Sequence, residues 1–160
     1  MSEFSIRPAQ REDVAIILNF IEGIAAYEKL SHEVEATHEK IEHYLFGEKS
    51  FASCFIAFEG NTAVGFALYF NNYSTFVSKP GIYLEDLFIE PSYRGKGYGK
   101  KLLLKLVQTA KENNWGRVEW SVLDWNKPAI DFYESLGAKP MNGWTVYRLS
   151  EKEINNLSTE

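Results

Sequence analysis

The stretch Tyr83–Lys100, which reads YLEDLFIEPSYRGKGYGK, decides the fold of this chain. Its first half is apolar and aromatic, which predicts a strand over Tyr83–Ile89. Pro91 ends that strand because proline has no N–H group to give to a sheet ladder. A glycine-rich turn follows, and then apolar residues at helical spacing predict a helix to about Asn113. The apolar face predicted for this helix consists of Leu102, Leu103, Leu106, Val107 and Ala110.

The turn between this strand and this helix predicts an anion-binding site. The first N–H groups of a helix have no partner inside the helix, and the helix dipole makes that end partly positive. Glycine lets the backbone approach a phosphate closely and adopt positive φ. Arg94, Lys96 and Lys100 add positive charge. We interpret the turn as a pyrophosphate cradle, and the alternative is a simple connection between strand and helix.

The spacing of the glycines and lysines in this turn argues against two known phosphate-binding motifs. A Walker A loop needs Ser or Thr after Gly-Lys to bind magnesium, but Gly99-Lys100 is followed by Lys101. A dinucleotide fingerprint needs G-x-G-x-x-G, and the third glycine is misplaced here, so a dinucleotide oxidoreductase is the weakest candidate. The pattern that remains is Arg94-x-x-Gly97-x-Gly99.

The other elements follow from hydrophobic periodicity and turn residues, and together they predict an α/β fold with a mixed sheet and helices on both faces. Strands are predicted over Phe4–Pro8, Phe51–Phe58, Ala63–Phe70, Arg117–Val122 and Trp144–Leu149. Helices are predicted over Arg11–Tyr27, from the Thr37 cap to about Phe46, from the Asn126 cap to Leu136, and over Glu151–Leu157. The predicted connections include a hairpin turn at Glu59–Asn61 and a polar loop at Asn71–Pro80.

Length and composition predict one domain over residues 1–160, and 45% hydrophobic residues are enough for its core. The net charge of −5 argues against non-specific nucleic-acid binding, which needs a basic surface. Cys54 is the only cysteine, so no internal disulfide can form and a cytoplasmic location is expected. No apolar run is long enough to span a membrane. His38 and His43 have the wrong spacing for a zinc helix, so no metal is expected.

A second motif begins at Asn126. Residues 126–138, NKPAIDFYESLGA, resemble N-x-x-A-x-x-[FL]-Y-x-x-x-G-[FA], and the glycine turn resembles R/Q-x-x-G-x-G/A. Both are similar to motifs of the GCN5-related N-acetyltransferase (GNAT) superfamily and stand in its order. Similarity to the spermidine/spermine (diamine) acetyltransferase branch is carried by Ile6–Ala9, Tyr27-Glu28, Val64–Ala67, Tyr83–Asp86 and Trp125-Asn126. The resemblance implies a mostly antiparallel sheet that is splayed in the middle, and a homodimer.

The resemblance also implies a site for acetyl-CoA as the co-substrate. The pantetheine arm would pair with the backbone at Leu87, Phe88 and Ile89, while Asn126 would contact the cofactor and Tyr133 would lie near its sulfur. The residues expected around the pyrophosphate are Arg94, Gly95, Lys96, Gly97, Tyr98, Gly99 and Lys100. Those expected to contact the substrate are Tyr27, Glu28, Glu85 and Asp86.

Acyl-transfer chemistry suggests roles for two of these residues. An alkyl ammonium has a pKa of about 10, so a base must remove its proton before the amine can attack a thioester. Glu85 is the candidate base, directly or through water, and Tyr133 is the candidate acid for the departing thiolate. No enzyme nucleophile is needed, because the amine can attack directly. In structural terms alone, Tyr133 would be a core residue and Asn126 a helix cap.

The acceptor amine stays open at this point. Where the polyamine enzymes have two acids that hold a distant ammonium, this chain has Ser74-Thr75 and Asn142. A short diamine or a lysine-like amino acid therefore competes with a polyamine as the small cationic substrate. A protein lysine or N-terminal acetyltransferase and a non-catalytic acyl-CoA-binding module are the alternative functions.

Overall fold

The computed structural model describes residues 2–158 and centres on a mixed five-stranded sheet. The strands are β1 (Phe4–Pro8), β2 (Ser53–Glu59), β3 (Thr62–Ser74), β4 (Lys79–Ile89) and β5 (Val118–Trp120). They lie in that order, and all neighbours are antiparallel except β4 and β5, which are parallel. The predicted mixed and mostly antiparallel sheet is confirmed. The chain divides into two units, Met1–Ser121, which contains this sheet, and Val122–Glu160.

Helices cover both faces of the sheet in the first unit. They are α1 (Val14–Tyr27), α2 (His38–Phe46) and α3 (Tyr98–Glu112). The ring of Phe88 on β4 lies 6.0 Å from that of Phe20 on α1. Its neighbours Leu87 and Ile89 approach Gly99 at the beginning of α3. Because successive side chains of a strand point to opposite faces, α1 and α3 lie on opposite sides of β4.

The helix periodicity in the sequence predicts most of the buried side chains. On α3, Leu102, Leu103, Leu106 and Ala110 are buried. The assignment of Val107 to this face is wrong, since it is 45% exposed. It lies about 100° around the helix from Leu106, which takes it out of the apolar stripe. The predicted cap of α2 is confirmed, since Thr37 Oγ1 accepts the Lys40 N–H at 3.1 Å.

The predicted polar loop at Asn71–Pro80 is wrong. Instead, β3 continues to Ser74 and β4 begins at Lys79, so only four residues connect them. The polar side chains fit because they bond across the sheet: Asn71 Nδ2 donates to the Gly81 carbonyl at 2.9 Å. Asn72 Nδ2 likewise donates to Glu119 Oε1 at 3.2 Å. Polar residues with such partners can occupy a strand at little cost.

The regular secondary structure described in the second unit consists of helices. It contains α4 (Lys127–Ser135) and α5 (Glu151–Leu157). Gly137 has φ +93° and forms a left-handed C-cap after α4, and the Ala138 N–H donates to the Tyr133 carbonyl. The predicted strand at Trp144–Leu149 is wrong: no strand is described between residues 122 and 158, so this stretch has no ladder partner in its own unit. No helix within residues 2–158 is both long and apolar enough to cross a bilayer.

Candidate active site

The turn at Arg94–Lys100, here called the phosphate loop, has the geometry that an anion needs. Gly95 has φ +85° and Gly97 has φ +81°, which other residues rarely adopt. A Cβ at either position would meet no atom within 4 Å, so the space over the loop is open. The first helical hydrogen bond runs from Lys101 N–H to the Gly97 carbonyl at 3.1 Å, and the N–H groups before it have no partner inside α3. These donors fit the pyrophosphate of a CoA thioester.

Two cationic side chains of the phosphate loop make contacts within the protein. Arg94 Nε donates to the Ile89 carbonyl at 2.8 Å, and its guanidinium carbon lies 5.0 Å from the ring centre of Tyr27. Arg94 therefore links the phosphate loop to the end of α1. Lys96 Nζ lies 3.0 Å from Glu59 Oε2, while Lys100 is exposed.

The edge of β4 next to the phosphate loop is open. β5 pairs with β4 only at Ile82–Leu84. From Asp86 to Ile89, β4 pairs with β3 on its other edge, and no strand among the described residues covers the edge that faces β5. The predicted splay of the sheet lies here. An extended amide chain such as pantetheine can pair with such an edge, as one more strand would.

A β-bulge brings acidic residues together at the start of this open edge. Leu84 pairs with Tyr69 and Asp86 with Leu68, so Glu85 is the extra residue on β4. Burial, followed by the charges of Glu85 and Glu28, raises the pKa of Asp86 to about 7. Burial also raises the pKa of Glu28, which follows α1. We call Glu28, Glu85 and Asp86 the acidic group; Glu85 is its exposed member.

The first unit thus brings together most of the residues predicted for the site. The phosphate loop, the backbone of Leu87–Ile89, the acidic group and Tyr27 all belong to it. Sequence reasoning missed Glu59, which it assigned only to a hairpin turn. No local sequence pattern could reveal its contact with the phosphate loop, because Glu59 and Lys96 are 37 positions apart in the sequence. Among residues 2–158, no three or more His, Cys, Asp or Glu side chains are arranged so that they could hold a metal ion.

Asn126 and Tyr133 lie in the second unit. Asn126 occupies the cap position of α4, and its carbonyl accepts the Ile130 N–H at 3.1 Å, but its side chain does not cap the helix. Tyr133 is half-buried on α4, with its ring centre 5.5 Å from that of Phe132. Their roles beside acetyl-CoA stay predictions.

Comparison with known proteins gives a consistent result. The model of the acetyltransferase (GNAT) family matches residues 21–138. The thialysine N-epsilon-acetyltransferase of Sus scrofa is 36% identical over 169 residues, covering 99% of both chains. The human spermidine/spermine N(1)-acetyltransferase-like protein 1 is 31% identical over 170 residues, covering all of this chain and 24% of that protein. An integron cassette protein from the V. cholerae mobile metagenome superposes with a TM-score of 0.82 at 27% identity, covering 100% and 99% of the two chains.

Proposed function

The chain belongs to the GNAT acetyltransferase family and is an N-acetyltransferase that uses acetyl-CoA, and we propose that it acetylates the primary amine of a small cationic substrate. The observation that carries this proposal is the acidic group beside the open edge of β4. Carboxylates held close together repel one another, and a bound ammonium relieves that repulsion. A half-buried Asp86 with a pKa of about 7 therefore suits a cationic ligand better than a neutral one.

We further propose that lysine-like amino acids are preferred to polyamines. The pig relative, which matches over nearly the whole chain, is named for thialysine. This chain also has Ser74-Thr75 and Asn142 where the polyamine enzymes have acids that hold a distant second ammonium. Without those two charges, a long polyamine gains less than a short amine that reaches only the acidic group.

Acetyl-CoA supplies an activated thioester, and the protein's residues supply position and proton transfer. The N–H groups of the phosphate loop would hold the pyrophosphate, and the open backbone of Leu87–Ile89 would align the pantetheine. Asp86 and Glu28 would hold the acceptor's ammonium next to that edge. Alignment of two reactants in this way can supply much of the rate enhancement.

Two proton transfers remain for side chains to perform. Glu85 would take the proton from the ammonium, directly or through water, so that the neutral amine can attack the thioester carbonyl. Tyr133 would give a proton to the departing sulfur. We propose these two roles, and a cofactor contact for Asn126, for a single catalytic domain of residues 1–160 that acts as a cytoplasmic homodimer.

The test is thiol release from acetyl-CoA against spermidine, spermine, putrescine, lysine, thialysine and a lysine-containing peptide. We expect the highest kcat/KM with thialysine or lysine and lower values with the polyamines. Activity on the peptide alone would instead favour a protein acetyltransferase. Tight binding of acetyl-CoA without transfer to any amine would favour a non-catalytic acyl-CoA-binding module.

A further inference from the structure

Glu59, the last residue of β2, accepts two hydrogen bonds from the phosphate loop. Lys96 Nζ donates to its Oε2 at 3.0 Å, and Tyr98 Oη donates to the same oxygen. The Tyr98 hydrogen bond, followed by that of Lys96, lowers the pKa of the Glu59 carboxyl. Glu59 is therefore ionised near neutral pH and holds two residues of the loop at once.

Tyr98 is held by its ring as well as by its hydroxyl. Its ring stacks on that of Phe4, with the centres 4.2 Å apart and the planes at 19°. Phe4 and Glu59 are paired neighbours in the β1–β2 ladder, so one rigid pair of strands fixes both ends of the Tyr98 side chain. Tyr98 is buried and is the first residue of α3.

The charge of Glu59 is unfavourable for an anion site unless something offsets it. A carboxylate beside the phosphate loop would repel a bound pyrophosphate. Lys96 and Tyr98 nevertheless both donate hydrogen bonds to this carboxylate. A favourable effect of Glu59 on CoA binding therefore has to come from holding the phosphate loop in one conformation. We propose that Glu59 is a positioning residue for CoA binding: through Tyr98 it fixes the first turn of α3, whose free N–H groups face the pyrophosphate. This inference rests on the proposed function of the phosphate loop.

Calorimetric titration of CoA into four proteins tests the proposal. Glu59→Ala removes the acceptor, Tyr98→Phe removes the donor but keeps the ring stack, and Glu59→Gln keeps an acceptor oxygen without the charge. We expect the Kd of CoA to rise about fivefold to tenfold in Glu59→Ala and in Tyr98→Phe, as the loss of one typical hydrogen bond predicts. In Glu59→Gln it should stay within about twofold of the wild-type value, because the tie to Tyr98 remains.

Acetyl-pantetheine, which lacks the pyrophosphate, provides the matched control. With it as the acetyl donor, the variants should lose much less kcat/KM than with acetyl-CoA, because acetyl-pantetheine has no pyrophosphate to contact the phosphate loop. Equal losses with both donors would overturn the proposal, and so would an unchanged Kd of CoA in Glu59→Ala and Tyr98→Phe. If wild-type protein does not bind CoA at all, the proposed function fails together with this inference. If wild-type protein binds CoA and the variants bind equally well, the inference alone fails.

Discussion

Asp86 illustrates a residue that is unfavourable for stability and useful for binding. Its pKa in the folded protein is about 7, against about 3.9 in an unfolded chain. The folded state therefore holds a proton on Asp86 that the unfolded state releases between these two values. The stabilisation that this bound proton gives the folded state is fully present below about pH 4 and is lost as the pH rises through about 7.

Because the charge of Asp86 is unfavourable in the folded protein above this pKa, we predict that Asp86→Asn stabilises the fold at pH 8. The gain should be on the order of 2 kcal/mol, allowing for partial solvent screening, and should become small below pH 5. Denaturant unfolding of both proteins at the two pH values measures the difference. Glu39→Gln on the exposed surface of α2 is the control and should change little at either pH. An equal effect of Asp86→Asn at both pH values would contradict the prediction.

Substitution can decide whether Glu85 or Asp86 is the general base. We expect Glu85→Gln to lower kcat/KM about 10² to 10⁴-fold and to remove the acidic limb of its pH profile, as loss of a general base does. Asp86→Asn should mainly raise the KM for the amine and keep the limb. The opposite pattern, with the limb lost only in Asp86→Asn, would make Asp86 the base, which its pKa of about 7 would suit.

Tyr133 is predicted to act on the departing sulfur. Tyr133→Phe should lower kcat about a hundredfold, as loss of a general acid does, while the calorimetric Kd of acetyl-CoA stays unchanged. Tyr147→Phe, at an exposed tyrosine of the same unit, is the matched control and should retain full activity. A normal kcat in Tyr133→Phe would exclude it as the essential acid.

At the scale of elements, the packing of β3 on β4 depends on Gly65. A Cβ there would lie 2.5 Å from Ile89 Cδ1 and even closer to the Phe88 carbonyl oxygen. Any side chain would push β4 away at the segment where pantetheine is proposed to pair. The close approach of these two strands therefore requires glycine at this position.

We predict that Gly65→Ala lowers the free energy of unfolding by about 1 to 3 kcal/mol, the usual cost of overpacking. The matched control is Gly99→Ala in α3, where a Cβ would stand 3.6 Å from Leu87 Cδ2 in ordinary contact. There, the better helix propensity of alanine should leave stability equal or higher. Denaturant unfolding of the two variants measures the contrast, and equal stabilities would refute the strand-packing argument.

The element that the sequence predicts best is β4, the phosphate loop and α3 taken together. Its signals are local: a β-prone run, a proline, glycines where φ is positive, and leucines at helical spacing. The bulge at Glu85 has no such signal, because the surrounding letters LEDL fit a regular strand equally well. Likewise, Glu59 reaches Tyr98 only once β2 and α3 are both in place.

At the scale of the whole molecule, the second unit leaves large apolar side chains in solvent. Trp144 is 80% exposed, Val146 84% and Tyr147 90%. Three large apolar side chains this exposed within four positions of sequence indicate an interaction surface. We expect this exposed stretch, residues 144–149, here called the terminal segment, to lie at the interface of the homodimer that the family resemblance implies.

We therefore predict that sedimentation equilibrium gives twice the chain mass of 18.4 kDa. Val146→Asp should shift the protein toward the monomer, because a buried, unpaired charge in an interface is strongly unfavourable. Phe76→Asp is the matched control: this residue is 95% exposed in the β3–β4 connection, outside the terminal segment, and its replacement should leave the mass unchanged. A monomeric wild-type protein would remove the dimer proposal. A dimer that resists Val146→Asp but dissociates with Phe76→Asp would move the interface to the β3–β4 connection.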